Sequence, residues 1–298
     1  MTAALLLAAA IAFPKEGSRL PLVSRCYVIG SADATNVVVQ GHDVPVYRTG
    51  GWVTMVDVVP GTNTVRAGDA AVTFFVEQSP KGSGAAKPAE KKWEKLKYAG
   101  DVPRPHPAGK RPDAITVVID PGHGGTDTGA MTPLGRMEKD ANLAIAKFVR
   151  DELVSRGYNV VMTRDDDSFP ELYDRPKLAH ANGADAFISI HHNAPPFDKD
   201  PRQVRYTSVY AWNDIGERLA KAINSRMAAA LGRSLKNNGV MHANFAVTRN
   251  PEIPSCLVEV DFITTPEGEE ECWDEARRRK LAEAIADGFR DWATARTK

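Results

Sequence analysis

Two textures of hydrophobic patterning divide the chain. Between residues 20 and 78, apolar residues come in short runs rich in valine, at 23–29, 36–40, 44–47, 52–58, 64–66 and 71–77. Turn formers separate them, as in Gly30-Ser-Ala-Asp33, Gly50-Gly51 and Pro60-Gly-Thr-Asn63. Short strands at this spacing predict a small all-β module, a sandwich or a barrel. From residue 113 onward the pattern changes. Strand-like runs at 114–120, 158–163, 185–190, 207–211, 245–248 and 256–262 alternate with segments of helical period at 141–156, 172–182 and 215–231, and with a last helix carrying Leu281, Ile285, Phe289 and Trp292. This alternation predicts an α/β domain: a mostly parallel six-stranded sheet flanked by helices.

Two further stretches complete the layout. Residues 79–112 have linker composition, with nine basic residues against three acidic ones between Ser79 and Arg111, and read as a solvated basic tether. Residues 2–12 form an apolar run, too short to span a bilayer, whose length and Ala-x-Ala character fit the core of an export signal, although no positive flank precedes it. The expected organisation is therefore a possible signal segment at 1–19, a β module at 20–78, a linker at 79–112 and an α/β domain at 113–298. A periplasmic, cell-envelope or extracellular location goes with it. No later segment is apolar enough for a transmembrane helix.

Composition narrows the picture only a little. The 298 residues are 43% hydrophobic and 26% charged, ordinary for a globular chain. Lysine and arginine number 38, as do aspartate and glutamate, so net charge gives no reason to expect nucleic acid as a partner. Three cysteines are too few and scattered for a disulfide framework; Cys256 and Cys272 could pair, but Cys256 reads better as a small buried hydrophobe. A monomer is expected.

The candidate chemistry lies at the ends of the α/β strands. The run Ile115-Thr-Val-Val-Ile-Asp120 enters the tight turn Pro121-Gly-His-Gly-Gly125, which carries His123. Glu138 precedes the first long helix, His191 and His192 follow the third strand, and Glu259 interrupts the apolar strand Leu257-Val-Glu-Val260. The carboxyl ends of parallel strands share one crevice. Two histidines and a carboxylate meeting there match the ligand set of a catalytic zinc, and a further carboxylate would serve as general base. Each residue also has a plain reading: His123 as a turn residue, Glu138 as a charge favoured at a helix N-terminus. Adjacent strand residues face opposite ways, so only one of His191 and His192 is expected in the site. Glu259 needs a partner or a function if buried.

Six ordered segments then resemble a known family: Val118-Ile-Asp-Pro-Gly-His-Gly-Gly125, Gly135-Arg-Met-Glu-Lys-Asp140, Thr163-Arg-Asp-Asp-Asp167, Phe187-Ile-Ser-Ile-His-His-Asn-Ala194, Asn244-Phe-Ala-Val-Thr-Arg-Asn250 and Leu257-Val-Glu-Val-Asp-Phe-Ile263. Together they resemble the zinc-dependent N-acetylmuramoyl-L-alanine amidases of bacterial cell walls, the type-3 amidases. The resemblance implies one Zn2+ held by His123, Glu138 and His191, with Glu259 as the catalytic carboxylate. It implies peptidoglycan or muropeptides as substrate, cut at the amide between N-acetylmuramic acid and L-alanine. Two other outcomes would be a non-catalytic wall-binding protein or a zinc peptidase acting within stem peptides. The chain departs from the family at His192, where a small residue is usual, at Asp261, where glycine is usual, and at Thr264-Thr265, where Ser-Asn is common. Asp261 is expected to share a strand face with Glu259 and to raise its pKa or hydrogen-bond to it. The roughly fifty residues between Asn193 and Asn244 leave no room for the helical plug of some family members, so an open site is expected. The segment 36–65 loosely resembles bacterial immunoglobulin-like modules, with an SH3-like barrel as the other candidate.

Overall fold

The computed structural model describes residues 9–78 and 106–295. The N-terminal module has eight strands: β1 (Ala10–Phe13), β2 (Arg19–Leu20), β3 (Arg25–Ser31), β4 (Asn36–Val39), β5 (His42–Pro45), β6 (Gly51–Asp57), β7 (Gly61–Ala67) and β8 (Ala70–Val76). They form two sheets, ordered β1-β3-β6 and β2-β8-β7-β4-β5. Strand alternation places Val28, Trp52, Val65, Phe74 and Val76 between them as a closed core. Two sheets sharing one core make this a small β sandwich.

All six sequence-predicted strands of the module are present, with ends shifted by up to three residues, but its start is different. Residues 10–13, read as the end of an export signal, form β1, which pairs antiparallel with β3. An apolar, alanine-rich run satisfies an edge strand as well as a signal core. Residues 1–8 lie outside the described residues.

The α/β domain comprises β9 (Thr116–Pro121), α1 (Glu138–Ser155), β10 (Asn159–Met162), α2 (Asp174–Ala181), β11 (Ala186–Asn193), β12 (Thr207–Ala211), α3 (Asp214–Leu231), β13 (Asn237–His242), β14 (Ser255–Phe262), α4 (Pro266–Trp273) and α5 (Glu275–Thr294). The sheet order is β10-β9-β11-β14-β12-β13. Neighbours run parallel except β12 and β14. Successive residues of the central strands serve opposite faces. Val117, Ile119, Ile188 and Ile190 meet α1, α3 and α5 through Ile145, Val149, Leu219, Ile223, Ile285 and Phe289. Val118, Phe187 and Leu257 turn to the other face, where Ala179 of α2 packs. Cys26, Cys256 and Cys272 are all buried free thiols, so Cys256 and Cys272 do not pair.

Four expectations need correction. Residues 245–248 form a turn rather than a strand, with Phe245 38% exposed and its ring edge-on to Tyr210. The sixth strand is β13, a polar Asn-Asn-Gly-Val-Met-His edge that pairs with β12 alone and so needs no alternating apolar face. Glu138 is the first residue of α1 rather than a loop residue. The linker boundary at 112 also moves back: the His106 ring packs edge-on against Trp292, and Lys110 Nζ lies 2.6 Å from Asp185 Oδ1, so the α/β body includes residues from 106. Residues 79–105, the bulk of the expected linker, lie outside the described residues.

The module is seated on the α/β domain. Tyr27 N donates to Phe197 O at 3.0 Å. Arg48 pairs with Glu270 of α4. Gly51 sits so close to Pro133 that a Cβ there would be 2.7 Å from the proline ring.

Candidate metal centre

The turn after β9 is held by its neighbours' donors rather than by its own hydrogen bonds alone. Asp120, fully buried, accepts from Thr163 Oγ1 at 2.6 Å, Ser189 Oγ at 2.6 Å and Arg175 Nη1 at 2.9 Å. Arg175 also donates to the carbonyls of Pro121 and His123, at 2.9 and 2.8 Å. Arg164 donates to those of Pro121 and Gly122, at 3.0 and 2.8 Å. These bonds hold His123 at φ +61°, a left-handed conformation that is uncommon for a residue with a side chain. Gly122 is required for a different reason: a Cβ there would lie 2.2 Å from the His191 imidazole.

The turn, the start of α1 and the end of β11 bring His123, Glu138 and His191 together. One ligand atom from each lies within 4.8 Å of the others. Glu138 Oε1 is 3.1 Å from His123 Nε2 and 3.1 Å from His191 Nδ1. Its other oxygen accepts from Ala130 N at 2.9 Å. Glu138 is 4% exposed and sits at the helix N-terminus, where the dipole favours an anion. Burial opposes its ionisation, yet hydrogen bonds and charge from His123 and His191 hold its pKa well below the usual range. Burial likewise disfavours charge on His123, but the Glu138 and Asp127 carboxylates outweigh it and raise the pKa to about 9.

Two residues not singled out by the sequence complete the cluster. Asp127 Oδ2 lies 2.8 Å from His123 Nδ1. With Nδ1 turned to this carboxylate, Nε2 faces the cluster; Nδ1–H donation to a carboxylate is the arrangement that frees Nε2 for a metal ion. Asn142, one helical turn after Glu138, donates to Glu138 Oε1 at 3.2 Å and to Gly122 O at 3.3 Å. The signals were present as i,i+4 partners, Asp127 to His123 and Asn142 to Glu138, but polar residues at that spacing are common and carry no chemistry of their own.

His192 faces away from the cluster. It is 2% exposed, and its Nδ1–H donates to Asn142 Oδ1 at 2.8 Å. Burial lowers its pKa to about 4, so it is a neutral prop for Asn142 and, through it, for Glu138.

Glu259 stands across the β11–β14 ladder from His191. It is partly buried, and its Oε2 is enclosed with no hydrogen-bond partner among the described residues. Burial raises its pKa to about 7, opposed by the charge of His191 and His123. Asp261 does not contribute. The ladder slips here: His191 pairs with Glu259, but Asn193 pairs with Phe262. The extra residue breaks the two-residue alternation, so 259 and 261 do not share a face. Asp261, fully buried, instead receives Arg205 at 2.9 and 2.6 Å and Arg277 at 2.7 Å. Thr265 caps α4, accepting from Gly268 N at 2.8 Å.

Two nitrogens and an ionised carboxylate, all buried or half-buried, match the donor set of a catalytic zinc with one position left for water, and the enclosed Glu259 oxygen without a partner fits a base awaiting its proton donor. Between β11 and Asn244 the described chain holds a single 3-10 turn at Pro201–Gln203, β12, α3, β13 and turns, with no long helix other than α3.

Fold and site together define an α/β domain with a candidate metal centre at the carboxyl ends of its strands. The chain belongs to the N-acetylmuramoyl-L-alanine amidase family, whose model matches residues 117–291. It is 36% identical over 217 residues to the N-acetylmuramoyl-L-alanine amidase AmiA of Escherichia coli, across 58% of this chain and 74% of that one. It is 37% identical over 174 residues to YqiI of Bacillus subtilis, across 58% of this chain and 82% of that one. Among solved structures it is similar to the amidase AmiC2 of Nostoc punctiforme, with TM-score 0.56 and 38% identity over 60% of this chain and 96% of the other.

Proposed function

We propose that this chain hydrolyses the amide joining the lactyl group of N-acetylmuramic acid to L-alanine in peptidoglycan, with His123, Glu138 and His191 holding one Zn2+ and Glu259 as general base. Family membership gives the reaction class, and the observation that carries the site assignment is the convergence of the three ligand atoms within 4.8 Å. Zinc held there would act as a Lewis acid toward the scissile carbonyl and acidify a water. Asp127 keeps His123 in the tautomer that presents Nε2. Asn142 and Ala130 N fix the two Glu138 oxygens. Glu259, poised near neutrality by burial, takes the attacking water's proton and returns it to the leaving amine. The cell envelope is the corresponding site of action. Among the described residues no helix is long and apolar enough to cross a membrane.

Purified muropeptides digested by the chain should release an intact stem peptide with a free L-alanine N-terminus, read by mass spectrometry. Cleavage confined to bonds within the stem would instead identify a peptidase. Glu259→Gln should lower kcat by about 10²- to 10⁴-fold while the zinc content is retained; an active variant would remove Glu259 from its role.

A further inference from the structure

The seam between the two folded bodies holds an open cavity of about 490 Å³, within the size range of small-ligand sites. Phe13 and Tyr27 of the β module form one wall; Phe197 and Ala194, just beyond β11, form another; Gly129, in the loop before α1, lies at its floor. The three rings pack together. Phe13 and Phe197 stack with centroids 5.5 Å apart, and Phe13 and Tyr27 lie 5.0 Å apart. Gly129 lies between the cavity and the metal cluster: a Cβ on it would be 2.6 Å from Glu138 Oε2 and 2.7 Å from the His123 ring. The cavity is thus one residue removed from the cluster, within reach of a substrate that extends past Gly129.

Lys15 is the charged side chain among the residues lining the cavity. It is exposed, and its ammonium reaches Thr128 Oγ1 at 3.5 Å, a long contact that engages one of three donors. On the amidase reading, the substrate extends from the scissile amide in two directions. The sugar side is neutral. The peptide side carries free carboxylates on short aliphatic segments. An apolar, ring-lined cavity with a single cation at its edge is complementary to the second.

We infer that the seam cavity is the stem-peptide subsite, in which the aromatic walls take the aliphatic part of the peptide and Lys15 of the N-terminal module pairs with one of its carboxylates. The module thereby contributes a specificity residue to a site whose chemistry belongs entirely to the other body. The inference rests on the amidase reading.

The full chain is assayed on two matched muropeptides, one with the α-carboxylate of its second stem residue free and one with it amidated. Lys15→Glu should raise KM for the free acid about tenfold, the size of one lost charged hydrogen bond, with kcat unchanged and little change for the amidated substrate. Lys15→Arg should restore the wild-type KM. Isothermal titration with the free stem tripeptide, which needs no turnover, should show the same roughly tenfold loss of affinity in Lys15→Glu. Equal effects on both substrates, or none on either, would overturn the inference. So would a KM that follows glycan length and ignores Lys15, which would assign the cavity to sugar. Failure of the wild-type chain to cleave any muropeptide would refute the amidase reading instead, leaving the titration to judge the subsite.

Discussion

At the level of single residues, the candidate centre works by opposing shifts on two carboxylates. Glu138 is buried beside two imidazoles and stays ionised; Glu259 is buried with little to compensate it and holds its proton up to about pH 7. Because Glu259 is raised from 4.5, the folded chain binds a proton there that the unfolded chain has already lost. Stability of the metal-free protein should fall between roughly pH 4.5 and 7, with the full penalty present above that. Glu259→Gln should therefore raise the melting temperature of the chelator-treated chain at pH 8, by on the order of 3 kcal/mol in stability, and leave it unchanged at pH 4; calorimetry at the two pH values checks the sign. Asp127 acts through His123. Asp127→Ala should weaken zinc binding by about 10- to 100-fold in competition with a chromogenic chelator. His123 and the His191-His192 pair stood out in the sequence at strand ends and Glu259 inside an apolar strand; the ordered family segments made Glu138 a ligand and chose His191. Asp127 and Asn142 did not stand out, because their importance lies in which atom of a neighbour they touch.

At the level of elements, the strands and helices with strong internal pattern were legible. The central strands β9, β11 and β14 are rich in branched residues, and α1, α3 and α5 each carry an apolar stripe. The elements that escaped are those whose stability comes from elsewhere. β13 is a polar edge strand held by main-chain pairing to β12. α4 is a short helix started by Thr265 and Pro266. The ladder slip between β11 and β14 was invisible to any count of alternation, and it converts Asp261 from a supposed neighbour of Glu259 into the hub of an ion cluster with Arg205, Arg277 and Glu271. Asp261→Asn should cost on the order of 3 kcal/mol, as a fully buried carboxylate that pairs with two half-buried guanidinium groups is lost, with kcat little changed. Urea denaturation and steady-state kinetics on the same preparation separate the two effects.

At the level of the whole molecule, the chain holds two separate cores, one inside the β sandwich and one around the α/β sheet. The contacts between them include the Tyr27–Phe197 backbone bond and the Arg48–Glu270 pair. Loss of packing in one core should leave the other largely intact. Trp52→Ala should destabilise the sandwich by about 3–5 kcal/mol, while added zinc should raise only the transition of the α/β body, since a ligand stabilises the unit that binds it. Scanning calorimetry with and without the metal resolves the two. The β9 turn carries a different consequence. Its carbonyls are bound by Arg164 and Arg175, two side chains rooted outside it, so the left-handed His123 is fixed by the protein and needs no ion to shape it. On the proposed reading, little conformational entropy would be lost on binding a cation, and Asp120→Ala, which frees Arg175 from the turn, should weaken zinc affinity in the same chelator competition without removing a ligand.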